Sequence, residues 1–396
     1  MQVGLVGKPN VGKSTLFVAL TMHPVDIGPY PFTTISANRG VGAVRIECPH
    51  VEKGVPCAPK HGTCMDGMRY VPVEVIDVAG LVPNAHEGRG LGNRFLDDLR
   101  QATVLIHVID ASGSTDAEGN PVDIGEHDPL EDMRFLEEEI AYWIKGIIED
   151  GWKRLARKVE TEGRRPSEAL AERLSGLGVS ERDCAMAMRH VGLDEHPTRW
   201  SDEDLLALAR AVREVSKPIL VAANKADIAP EDMLRRLTSV KGYTVIPISA
   251  DYELALKRAA KAGLIKYRPG DPMFEVMDEV KLTSPQRRAL ERIREFMERH
   301  GGTGVQVALE TAVYRLARRI VVFPVEDENK WTDKEGNVLP DAFLLKEGST
   351  ALDLAYKVHT DLGRGFIRAI DGRTHRVLGA DHPLSHGDVI KIVARA

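Results

Sequence analysis

Near the start of the chain, Gly7-Lys8-Pro9-Asn10-Val11-Gly12-Lys13-Ser14 fit the spacing G-x-x-x-x-G-K-S. A strand-like run, Gln2 to Val6, precedes them, and a helical pattern from Gly12 to Leu20, through Thr15, follows. This is how a backbone holds phosphate. Glycines let the chain wrap closely, and successive N–H groups with a helix N-terminus direct partial positive charge at the anion. Lys13 then reaches the β and γ phosphates as a point charge, while the Ser14 hydroxyl ligates Mg²⁺.

Mg²⁺ requires further oxygens in a near-octahedral shell. Asp77-Val78-Ala79-Gly80 follows the apolar run Val73-Glu74-Val75-Ile76, which puts Asp77 at the carboxyl end of a strand, where open α/β sheets bind nucleotides. Asp77 is expected to hold the metal through a water and the Gly80 N–H to sense the γ-phosphate. Thr34 is expected to complete the metal shell, with Thr33 as the alternative. Such segments, with the Gly-rich stretch Gly88 to Asn93, are ordered by triphosphate and released after hydrolysis.

Asn224-Lys225-Ala226-Asp227 follows a further apolar strand, Pro218 to Ala223. A carboxylate at Asp227 can accept hydrogen bonds from guanine N1–H and the exocyclic amine, donors that adenine does not offer in that arrangement. Asn224 is expected to ligate the base and brace the phosphate loop, Lys225 to lay its stem over the ring, and Ser249-Ala250 to support the ring through the Ala250 N–H. GTP and GDP are therefore the expected ligands. The attacking water needs an orienting group, and Leu81 occupies the position where many GTPases carry Gln. His86 and His107 are candidates; the alternatives are a solvated loop residue and a packed strand residue. Asn10 is a candidate ligand for a monovalent cation such as K⁺.

Three of the four cysteines crowd into one segment with two histidines: Cys48, His50, Cys57, His61 and Cys64. Four such ligands would suffice for Zn²⁺. The spacing departs from a C-x-x-C knuckle, however, and neighbouring Pro and Gly favour an ordinary hairpin loop with free thiols.

These residues require a scaffold of strands alternating with helices. Gln2 to Val6, Arg39 to Ile46, Tyr70 to Val78, Val104 to Ile109, Pro218 to Ala223 and Val245 to Ile248 read as strands, with Leu91 to Arg100 helical. The fold class is α/β, a mostly parallel sheet covered on both faces. Between the strands, 111–216 reads as a helical insertion, beginning in a Gly-, Asp- and Pro-rich loop and including one helical pattern from Leu130 to about Glu160. The expected domains are 1–265 for nucleotide, 266–318 as a helical connector and 319–396 as a small α+β, β-grasp domain. In the last, Ser349 to Leu362 reads as one helix, and Ile320 to Val325, Phe366 to Ala369 and Val389 to Ile392 as strands. With 43% hydrophobic and 28% charged residues and a net charge of -6, the 396 residues describe a folded protein rather than a disordered or polyanion-coating one. The chain begins without a signal-like region and carries no run of about 20 apolar residues, so cytoplasm without a membrane partner is the expectation.

Taken together, Gly7 to Ser14, Tyr30-Pro31-Phe32-Thr33-Thr34, Asp77 to Val82, His86-Glu87-Gly88 and Gly90-Leu91-Gly92 resemble the Obg family of P-loop GTPases, most closely its YchF-like branch in an archaeal-type version. Lys346-Glu347-Gly348-Ser349-Thr350, His359 and His386-Gly387-Asp388 resemble a TGS domain, a β-grasp module linked to RNA or ribosome contact. The resemblance implies a ribosome- or RNA-associated molecular switch that hydrolyses GTP slowly and orients water without Gln. Some YchF-like members have altered base-reading residues and prefer ATP; here Asn224, Lys225 and Asp227 are intact. The competing readings are an ATPase of the same fold, and a ribosome- or RNA-binding module with nucleotide as a structural ligand.

Overall fold

The computed structural model describes residues 1–22, 38–78 and 98–395. The first sheet contains β1 (Gln2–Val6), β2 (Arg39–Glu47), β3 (Thr63–Met65), β4 (Met68–Asp77), β5 (Val104–Asp110), β6 (Ile219–Asn224) and β7 (Thr244–Pro247). Their order is β2-β4-β1-β5-β6-β7, with β3 on β4. β4, β1, β5, β6 and β7 run parallel, and β2 is antiparallel to β4. Burial on both faces explains the unbroken apolar runs: all of β5 is buried. The register pairs Leu5 with Asp77, Val6 with His107, and Asp110 with Asn224. Leu5, Val6, Asp77, Asp110 and Asn224 thus stand at the carboxyl ends of four adjacent strands, the edge on which the phosphate loop also sits.

One face of the sheet packs on helix Lys13–Thr21 through Leu16 and Leu20. The other meets the insertion, where Leu136, Ile140 and Ile144 of helix Pro129–Glu149 lie against Val6, Ile76 and Leu105. The single helix expected from Leu130 to about Glu160 is two. Gly151 takes φ +65°, which a right-handed helix cannot continue, and the chain restarts at Trp152–Glu162. Trp152 then stacks on Trp200 with ring centroids 5.4 Å apart. Ser180 with Asp183 and Ser201 with Asp204 form capping boxes that start two further insertion helices.

A short ribbon, β8 (Ile265–Lys266) with β9 (Glu275–Val276), leads to helix Ser284–His300. Thr283 caps that helix and Gly301 ends it. The second large sheet has β10 (Arg319–Val325), β11 (Phe343–Lys346), β12 (Phe366–Asp371), β13 (Val377–Leu378) and β14 (Val389–Ala394) in the order β11-β10-β14-β12-β13. β10 and β14 are parallel and the other pairs antiparallel, a β-grasp arrangement. Its expected single helix is again two, Ala351–Val358 and Thr360–Arg364. His359 is extended at φ −159° and its ring caps the second helix.

The two sheets share one apolar core: Val3, Leu5 and Ile106 belong to the same cluster as Leu309 and Val313 and as Val321, Phe323 and Trp331. No described helix is long and apolar enough to cross a membrane.

Candidate active site

Gly7 to Ser14 joins β1 to helix Lys13–Thr21. At Gly7 a Cβ would lie 2.5 Å from the Val108 carbonyl oxygen, and at Gly12, held at φ +89°, a Cβ would collide with the Asn224 carboxamide. Glycine is therefore imposed at Gly7 by a backbone carbonyl and at Gly12 by the Asn224 side chain and a left-handed φ. No side chain caps helix Lys13–Thr21 and its first turn carries no acidic residue, so its leading N–H groups stand ready for an anion. The Lys13 ammonium contacts Asp77 and donates to the Val78 carbonyl at 2.9 Å. Ser14 is exposed beside it. The Ser14 hydroxyl and the Asp77 carboxylate are hard oxygen donors, the set that Mg²⁺ favours.

Asn224, only 3% exposed, ties the base-reading turn to the phosphate loop. Its Nδ2 donates to the Val11 carbonyl at 2.8 Å, and its Oδ1 accepts from the Ala250 N–H at 3.0 Å. The brace expected of Asn224 is thus present. The Ala250 amide, expected to face the ring, is instead taken by Asn224, because a buried helix-opening N–H needs a partner. Ser249 caps that helix, its Oγ accepting from the Tyr252 N–H at 3.3 Å. Asp227 sits half-buried on the same turn, which the Ala226 N–H pins to the Ile248 carbonyl at 3.1 Å.

Sequence reasoning missed a buried clamp. The Lys225 ammonium donates to Asp110 Oδ2 at 2.8 Å, and Asp110 also accepts from the hydroxyls of Ser112, Ser114 and Thr115. The signal was a carboxylate closing an apolar strand, with hydroxyls following at short spacing. The same 111–128 segment straps the phosphate loop: Lys8 Nζ donates to the Thr115 carbonyl at 3.1 Å and pairs with Asp132 at 2.7 Å, and Asn10 Nδ2 donates to the Gly119 carbonyl at 2.9 Å. Asn10 thereby acts as a strut through its amide nitrogen. Gly119 in turn lies over Pro9.

Burial alone would raise the Asp110 carboxyl, but Lys225, Ser112 and Ser114 outweigh it and hold the group below its ordinary value. A depressed carboxylate adds stability above its unfolded pKa of about 4, and that stability is lost as pH falls through the folded value. Asp110→Ala should cost about 3 kcal/mol near neutral pH, because it leaves Lys225 and the hydroxyls unmatched. The cost, read from denaturant midpoints, should shrink relative to the parent as pH falls below the ordinary carboxylate pKa of about 4. A deficit independent of pH would contradict the ionic clamp.

Thr33, Thr34, Gly80, Leu81 and His86 lie outside the described residues. His107 is buried at the root of the phosphate loop, in a cavity of about 220 Å³ lined also by Gly7, Lys8, His127, Asp132 and Leu136. Burial, with the nearby Lys8 charge adding to it, pushes its imidazole down to about 3, so the ring is neutral at physiological pH. Of the Cys/His segment, Cys48, His50, Cys57 and Cys64 converge, whereas His61 turns away to Asp341 at 2.7 Å.

Three family models match the chain: "50S ribosome-binding GTPase" over residues 2–139, "Obg-like GTPase YGR210-like, G4 motif-containing domain" over 222–327, and "TGS domain" over 335–394. A GTP-binding protein of Methanocaldococcus jannaschii is 55% identical over 396 residues, spanning 100% of this chain and 99% of the relative. The ribosome-binding ATPase YchF of Haemophilus influenzae is 28% identical, over 92% of this chain and 86% of its own. The crystal structure of a GTP-binding protein from Pyrococcus horikoshii superposes with TM-score 0.80 at 43% identity, covering 100% of both chains.

Proposed function

The chain belongs to the Obg-like GTPases, in their YchF-like branch with a C-terminal TGS domain, and we propose that it binds GTP with Mg²⁺, hydrolyses it to GDP and phosphate, and acts as a ribosome-associated switch. One observation carries the reading: Asn224 bonds the phosphate loop at Val11 and the start of the next helix at Ala250, welding the turn that bears Asp227 to the cradle that bears Lys13. In this reading the ligand presents a phosphate chain and a guanine at one fixed separation.

In this mechanism the Gly7 to Ser14 backbone and Lys13 take the phosphate charge, and Asp227 reads the base. Ser14 and Asp77 would hold Mg²⁺, which when bound neutralises charge on the phosphates. Water attacks the γ-phosphate and GDP leaves; His86 is the candidate for orienting that water, Gly80 for sensing the γ-phosphate and Thr34 for completing the metal shell. His107, neutral and enclosed, supports the loop from below rather than taking a proton. In this reading the TGS domain supplies the ribosomal or RNA contact, and the protein works in the cytoplasm.

The test uses purified full-length chain in a fluorescent-GDP displacement assay, followed by turnover with and without ribosomes. GDP and GTP should displace the probe and ADP should not. Hydrolysis should be slow alone, well under the ~10 s⁻¹ median of enzymes, and faster with ribosomes. Displacement by ADP instead would transfer the reading to an ATPase of the same fold, the activity named for the Haemophilus relative.

A further inference from the structure

We propose that Cys48, His50, Cys57 and Cys64 bind a structural zinc ion that fastens the nucleotide domain to the β-grasp domain. Their ligating atoms all lie within 4.8 Å of one another, with Cys48 Sγ 3.9 Å from Cys57 Sγ and Cys64 Sγ 3.7 Å from His50 Nδ1. Zn–S and Zn–N bonds of about 2.3 and 2.0 Å at tetrahedral angles place sulfurs about 3.8 Å apart and sulfur about 3.5 Å from nitrogen. Two of the pairs already have that spacing and the others lie within an ångström or so of it, and four protein ligands make a closed, structural site rather than a catalytic one.

The local fold explains why a metal is needed. Cys48 follows β2, His50 opens the short helix His50–Lys53, Cys57 lies in irregular chain, and Cys64 sits in β3. The excursion between β2 and β3 buries little of its own: Val51 is 51% exposed and Val55 is 44% exposed. Bonds to a metal supply the cohesion that an apolar core does not.

A second observation is independent of the ligand distances. Arg69, cross-strand from Cys64, is wholly buried. Its Nη2 donates to the Pro340 carbonyl at 3.0 Å, but Nε and Nη1 have no hydrogen-bond partner among the described residues. The guanidinium instead lies beside the three thiols. A buried cation without a counter-charge is costly. Three thiolates and one neutral imidazole on Zn²⁺ leave one net negative charge, which balances Arg69.

The site also stands where the domains meet. The Ala58 N–H donates to the Val338 carbonyl at 2.9 Å, the Lys60 N–H to the Pro340 carbonyl at 2.9 Å, and Glu52 pairs with Arg373 at 2.6 Å. A rigid zinc-held loop presents these groups in register; a slack one would not.

Metal analysis of the full-length chain after gel filtration should find about one equivalent of zinc, and Co²⁺ exchanged into it should show the visible bands of tetrahedral thiolate coordination. Cys57→Ser and Cys64→Ser should each lose the metal, while Cys184→Ser and His61→Ala keep it. If the cysteine variants fail to fold, chelation of the parent chain gives the same answer: zinc leaves, iodoacetamide then labels Cys48, Cys57 and Cys64, and protease cuts within 54–62. A metal-free parent with those thiols readily alkylated, a Cys48–Cys57 disulfide in the intact mass, or full zinc in Cys57→Ser would overturn the proposal.

Discussion

Asp227→Asn should weaken GDP binding about a thousandfold, close to 4 kcal/mol. The carboxylate offers two acceptors to the two N–H donors on guanine's edge. Asparagine keeps one acceptor but turns an N–H₂ toward the other donor, leaving both unmet in a partly desolvated site. The turn has little freedom to adjust: the Lys225 carbonyl accepts from the N–H groups of Ile228 and Ala229, each at 3.1 Å, and the Ala226 N–H is bonded to Ile248. The same geometry predicts the rescue. Xanthine carries a carbonyl where guanine carries its amine, so xanthosine diphosphate should bind the variant better than GDP. Calorimetry of both proteins with the three diphosphates (guanosine, xanthosine and adenosine) checks this. Unchanged GDP affinity in the variant would show that Asp227 does not read the base.

The parts of the site legible in the sequence are those where function fixes spacing along one short stretch. The phosphate loop, Asp77 at a strand end, and the Asn224 turn each declare themselves within a few residues. Asp110 did not, because its ammonium partner Lys225 lies 115 positions later and only the pairing of β5 with β6 brings them together. The proposed zinc ligands were legible as a set of candidates but not as a cluster. Cys64 approaches on a strand and His50 on a helical turn, so no C-x-x-C spacing arises, and only the fold removes His61 from the group. In the scaffold, apolar periodicity located the strands but could not say against what they pack. That Val3 and Leu5 share a core with Phe323 and Trp331 is a tertiary fact. Both overlong helices failed at a single backbone angle, at Gly151 and at His359, where the apolar pattern runs on without interruption.

Lys13→Ala should lower GTP hydrolysis at least a thousandfold and reduce GTP affinity more than GDP affinity. The side chain is 14% exposed, and its ammonium is held between the Asp77 carboxylate and the Val78 carbonyl. It thus stands between the phosphate loop and the carboxylate that would serve the metal. A unit charge about 4 Å from a phosphate oxygen is worth about 4 kcal/mol at an effective dielectric constant near 20. Charge develops on the transferring phosphoryl group, so much of that value appears only in the transition state. GDP lacks the γ-phosphate and loses less. Arginine should not restore activity, because its planar fork does not fit the space of a compact ammonium. The lysine also neutralises Asp77 before nucleotide arrives, so the alanine variant should unfold earlier than the parent without nucleotide, and Lys13→Ala,Asp77→Asn should recover part of that loss without recovering hydrolysis. Single-turnover assays and thermal melts on the three proteins separate the two roles. A double variant that regains both stability and turnover would mean that Lys13 acts only by balancing Asp77 and never meets the phosphates.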